Sequence, residues 1–150
     1  MRILFYISVV LSGAITVGAV AMTQKYTAIY NPNGMNDMWT NGNPMLFFML
    51  FPMPIIAYFF IAMIFVLDNV HHRLGWQRKK ALLVYTSLFV FVSGFCVYRI
   101  VSFKQQAQPH FPEDIGYLNP YSNGLFFNGW TLLAALLLCA IISFFARKPA

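Results

Sequence analysis

Two cysteines, three histidines, eight methionines and four acidic residues are most of what this chain offers to reactive chemistry. Their spacing excludes more than it suggests. There is no C-x-x-C pair, no H-E-x-x-H motif, no G-x-S-x-G nucleophile turn and no phosphate-binding loop. A disulfide needs Cα atoms within about 7 Å. Cys96 and Cys139 lie in separate apolar runs. Counted at ~1.5 Å per residue, they sit roughly 22 and 10 Å from the same membrane face. They read as free packing residues, and thiol redox catalysis is not expected. The acidic residues Asp37, Asp68, Glu113 and Asp114 fall in polar stretches or at the end of an apolar run. A proton relay places ionisable groups inside the bundle. The pattern therefore argues against proton-coupled transport, and with no catalytic constellation the chain reads as a non-enzyme.

Methionine is the one soft ligand present in number. Met35, Met38, Met45, Met49 and Met53 are close in sequence, and thioethers suit Cu(I). His110 would add a nitrogen. The competing role for Met is to fill irregular apolar gaps, such as those around Pro52 and Pro54. That role is the commoner one, so neither a cofactor nor a metal is assigned. Arg99 is the only charge inside an apolar run. It lies near the end of that run, where its side chain can snorkel to the headgroups or pair with Glu113 or Asp114. Together with Trp39 and Ala135, these three residues are the candidates for contact with another protein. His71 and His72 open a basic stretch that continues through Arg73, Arg78, Lys79 and Lys80 and suits anionic headgroups.

The elements that must position these residues are set by composition. The chain is 59% hydrophobic and only 9% charged, against about 25% charged in a soluble domain. Most of its surface must face lipid. Four runs, 3–22, 45–67, 81–101 and 125–146, approach the ~20 residues that cross a ~30 Å hydrocarbon core. Each is expected to be helical, because lipid offers no partner to open backbone groups. The first run also resembles a signal peptide, with Ala19-Val20-Ala21 as the cleavage pattern, but is read as the first transmembrane helix. The whole chain, 1–150, is then one polytopic all-α membrane domain made of two helical hairpins.

Orientation follows from the basic residues. Arg2, Arg73, Arg78, Lys79, Lys80, Arg147 and Lys148 fall on one side, and Lys25 and Lys104 on the other. The bias places both termini and the central loop in the cytoplasm, as in a bacterial inner membrane. The longer loops 23–44 and 102–124 then face outward. Their Asn, Gly and Pro clusters predict compact turns. The net charge of +6 is accounted for by this topology and does not indicate nucleic acid.

Local features refine the helices. Pro52 and Pro54 predict a kink or break near 51–53. Asp68 is expected to close the second helix. Ser8, Ser12 and Thr16 recur every four residues, Ala14 and Gly18 form a small-xxx-small pair, and Thr131, Ala135, Cys139 and Ser143 form a second row. Such rows let helices approach closely in lipid. The second row is expected to face helix one, or the same helix of another copy, with the bulky Leu132, Leu133, Leu136, Leu137, Phe144 and Phe145 toward lipid or looser contacts. The function these features fit is a non-enzymatic membrane interaction protein. It would be an accessory subunit of a complex, or a protective immunity partner against a membrane-acting agent, with the bilayer and another membrane protein or itself as partners. An oligomeric transport or pore subunit is the alternative, and a copper-handling protein the third.

Overall fold

The computed structural model describes residues 2–27, 47–75, 77–110, 116–119 and 121–146. Every regular element among them is helical. The elements are α1 (Arg2–Lys25), α2 (Phe47–Leu50), α3 (Met53–Leu74), α4 (Arg78–Ala107, continued by a 3-10 turn Gln108–His110), α5 (Asn123–Phe126) and α6 (Gly129–Ser143). The segments Arg2–Lys25, Met53–Leu74, Arg78–His110 and Asn123–Ser143 are each long and apolar enough to cross a membrane.

The prolines decide where α3 begins. Pro52 takes the N-cap position and Pro54 the second helical position, where a missing N–H leaves no hydrogen bond unmade. The Pro52 carbonyl accepts from Ile55 N and Ile56 N, both at 2.9 Å. The irregularity expected near 51–53 is thus a break before the helix, with the single turn α2 on its far side. The helix is also displaced from the expected 45–67. It runs through Asp68 to Leu74 and stops at Gly75, whose φ of 60° lies in the left-handed region that favours glycine. Asp68 does not close the helix, and His71, His72 and Arg73 belong to its last turn rather than to a loop. α4 likewise extends beyond 81–101 to 30 residues. Hydropathy marks the hydrocarbon core, and the helices continue past it through the polar interface.

The long helices pack in the order α1, α3, α6, α4. α1 lies on α3, α3 on α6, and α6 on α4, while the short α5 touches both α1 and α4. α1 and α4 therefore lie at the edges of a row. One apolar cluster joins Ala19 and Val20 of α1, Met49 of α2 and Ile56 of α3. A second joins Val92 and Cys96 of α4 to Leu137 of α6. At the α1–α3 contact the Phe59 ring lies over Gly13: a Cβ added there would lie 2.9 Å from it.

Polarity is inverted relative to a water-soluble protein. The largest side chains that are almost completely enclosed are Asn123, Thr16, Thr23, Ser122 and Ser143. Large apolar residues such as Phe51, Phe91, Leu4 and Val10 are outside. The buried hydroxyls of α1 are satisfied within their own helix: Thr16 Oγ1 donates to Ser12 O at 2.8 Å, and Thr23 Oγ1 to Ala19 O at 2.9 Å. A hydroxyl engaged in this way behaves as a small, neutral packing group.

The row on α6 does not face helix one. Cys139 Sγ is 3.5 Å from the Phe60 carbonyl and Ser143 Oγ is 3.2 Å from His71 Nδ1, both partners on α3. Nor do the neighbouring large residues all face lipid, since Leu137 and Phe144 are buried. Leu137 is taken by α4, so α6 needs two buried faces: a small one for α3 and a bulky one for α4.

Candidate functional site

Two polar constructions stand out from the apolar packing, one at each end of α6. The first begins with the turn that precedes it. Asn119 Oδ1 accepts from Tyr121 N at 2.9 Å and Ser122 N at 3.0 Å, a side chain standing in for a backbone turn. Ser122 Oγ donates to Tyr117 O at 2.7 Å. These bonds deliver the chain to α5, where Gly124 passes so close to Thr27 that a Cβ would lie 3.1 Å from Thr27 Oγ1.

Asn128 then joins α5 to α6. Its Oδ1 accepts from Trp130 N at 2.7 Å and Thr131 N at 3.2 Å, capping α6. Its Nδ2 donates to Gly124 O at 3.0 Å and Leu125 O at 2.7 Å, closing the last carbonyls of α5. One buried side chain thus satisfies both sides of a helix break within a segment apolar and long enough to cross a membrane, where open backbone groups are costly. Beside it opens a cleft of about 470 Å³ lined by Gln24, Arg99, Gly124, Gly129 and Trp130 among others. Arg99 is exposed, with its guanidinium carbon 5.8 Å from the Phe95 ring centre. Phe95 in turn meets Trp130 edge to face at 5.3 Å. The result is a cation mounted on an aromatic wall near the positive end of a helix, suited to an acidic or carbonyl group from a neighbour.

The second construction is His71. It is buried where α3, α4 and α6 meet. Its ring stacks on Phe144 at 4.4 Å with 9° between planes. Nε2 lies 3.1 Å from the Tyr85 hydroxyl and Nδ1 3.2 Å from Ser143 Oγ. Because the Ser143 hydroxyl donates to Ala140 O at 2.7 Å, it receives from Nδ1–H, and Tyr85 then donates to Nε2. A neutral ring fits this arrangement. The expectation that both histidines belong to a topology-setting basic loop that meets anionic headgroups is corrected here for His71: it is buried and ties three helices together. Nothing in the sequence signals this, because Tyr85 and Ser143 are distant in the chain.

The remaining candidates separate. Arg99 lines the cleft beside Asn128, and Ala135 is half-buried within α6. Trp39, Glu113 and Asp114 lie outside the described residues, so the pairing expected for Arg99 does too. Of the methionines and His110, Met35, Met38 and Met45 also lie outside them. Met49 is buried in the α1–α3 cluster while Met53 is exposed at the start of α3, and the break at Pro52 ends any single stripe. His110 ends the 3-10 turn and is exposed. Among the described residues no three His, Cys, Asp or Glu side chains converge as metal ligands. Cys96 and Cys139 are both free and buried.

The described residues form an all-helical structure with four helices long and apolar enough for a multi-pass membrane fold. Comparison with protein-family models, with curated proteins and with solved structures gives no match.

Proposed function

We propose that this protein is a non-enzymatic interaction subunit of a bacterial inner membrane. Its two helical hairpins have both termini and the central basic loop in the cytoplasm and present loops outward. It serves as an accessory subunit or a protective partner, holding another integral membrane protein along its edge helices. One observation carries this reading. Packing in a row leaves α1 and α4 at the edges, and each keeps a small-residue position outward that its own fold does not use. Ala14 and Gly18 are exposed on α1, Ser87 and Gly94 on α4. A Cβ at Gly18 or Gly94 would meet nothing within 4 Å. In lipid, such positions let a second helix approach closely. The cleft at Arg99 lies beside α4 and offers that neighbour a polar anchor.

Photo-crosslinkers placed at Val17 and Val97 test this in native membranes, with buried Ala62 as control. A discrete adduct at either edge position, lost on Gly18→Leu or Gly94→Leu, is expected. Lipid adducts alone at both would refute the reading. An adduct of twice the protomer mass identifies the partner as a second copy. Labelling of single cysteines at 25 and 78 checks the orientation: a reagent confined to the outside should reach only the former.

A further inference from the structure

A second cleft, of about 520 Å³, opens between the start of α1 and the end of α3. Arg2 and Tyr6 of α1 line it on one side; Phe65, Asp68, Asn69 and Arg73 of α3 line it on the other. The spacing explains the convergence. Arg2 and Tyr6 are one turn apart, as are Phe65, Asn69 and Arg73, so each set forms a stripe on its helix. The stripes are joined by Asn69 Nδ2 donating to the Tyr6 hydroxyl at 3.2 Å. That bond uses the phenol oxygen as acceptor and leaves its hydrogen to donate.

We infer that this cleft is a phospholipid headgroup site, selective for an anionic phosphodiester whose headgroup carries hydrogen-bond donors. Two guanidiniums against one carboxylate leave the cleft net positive, and Arg presents paired donors to phosphate oxygens. Tyr6 adds a third donor. Asp68 sets the selectivity. It accepts from a glycerol hydroxyl or an ammonium and finds no donor on choline. Phe65, which is exposed, forms an apolar wall where the acyl chains begin. Basic pockets between transmembrane helices at the interface are a recurrent lipid-binding arrangement. The inference holds for either orientation, since both membrane faces present phosphates. It is also independent of the partner proposed above, which uses the outward faces of α1 and α4.

The test is lipid retention by the full chain in detergent, read by native mass spectrometry. One phosphatidylglycerol should be retained about tenfold more tightly than phosphatidylcholine. Arg2→Gln and Arg73→Gln should each weaken it about fivefold, taking one interfacial cation as about 1 kcal/mol. The Lys79→Gln/Lys80→Gln variant, which removes charge outside the cleft, should bind as the parent does. Phosphatidylethanolamine should exceed phosphatidylcholine in the parent and match it in Asp68→Ala. Equal retention of phosphatidylcholine and phosphatidylglycerol by the parent would overturn the site without any variant. So would an equal loss in the lysine variant, which would reduce the effect to general surface charge. Displacement of the lipid by millimolar inorganic phosphate would show that a free anion is the ligand instead.

Discussion

Replacing Asn128 should separate the two ends of the helix break that it serves. Asn128→Ala removes the cap on Trp130 N and Thr131 N, worth about 1 kcal/mol. It also removes both donors from Gly124 O and Leu125 O. Each carbonyl left open costs about 1–3 kcal/mol. Gly124 borders the cleft beside Asn128, so its carbonyl sits at the lower end of that range. The expected loss is about 3–5 kcal/mol, large against the usual 0.5–3 kcal/mol for a single substitution. Asn128→Ser restores a capping oxygen but no amide donors, and should recover about 1 kcal/mol of the loss. Unfolding by SDS in mixed micelles, followed by far-UV circular dichroism, measures both variants. Amide exchange at Trp130 and Thr131 should rise in the Ala variant and stay slow in the Ser variant. An Ala variant within 0.5 kcal/mol of the parent would show that water, not Asn128, satisfies this break. A Ser variant as stable as the parent would show that the two donated bonds contribute nothing.

Gly13→Leu should destabilise the fold by about 1–3 kcal/mol, because its side chain enters the space of the Phe59 ring, while Gly18→Leu, with open space around it, should leave unfolding unchanged. His71→Phe keeps the stack on Phe144 but loses both hydrogen bonds, and should cost about 1–3 kcal/mol in the same unfolding assay. Ser143→Ala, which removes only one of those bonds, should cost less than His71→Phe; an equal or larger loss would contradict the assigned network. Thiol titration of the unfolded protein should find both cysteines reduced, and the Cys96→Ala/Cys139→Ala variant should still fold, with crosslinking at Val17 and Val97 unchanged.

The sequence by itself determined that this is a helical membrane protein with four spans, because apolar length is a local property and lipid forces any such segment to close its own hydrogen bonds. The prolines marked an irregularity near 51–53, but the second helix was expected from 45, and α3 starts only at Met53, since a missing N–H is harmless only in a first turn. The far ends were not legible. α3 continues past Asp68, and α4 past 101, because helical hydrogen bonding does not stop where hydropathy falls. Which face meets which helix was decided only by the tertiary structure. In lipid, Leu137 against acyl chains and Leu137 against Val92 look alike in sequence, as does a small-residue row facing α1 or α3, since no solvent contrast marks the inside. The two polar constructions were hidden for a related reason. Asn128 falls near the start of the fourth apolar run with nothing to mark it, and His71 reads as part of a basic loop. The role of Asn128 arises locally, where the break before α6 lets its side chain turn back to Gly124 and Leu125, whereas that of His71 arises when the fold brings Tyr85 and Ser143 to it. The encounters of His71 depend on the order in which the helices pack, and that order is set by steric fit between helices far apart in the chain.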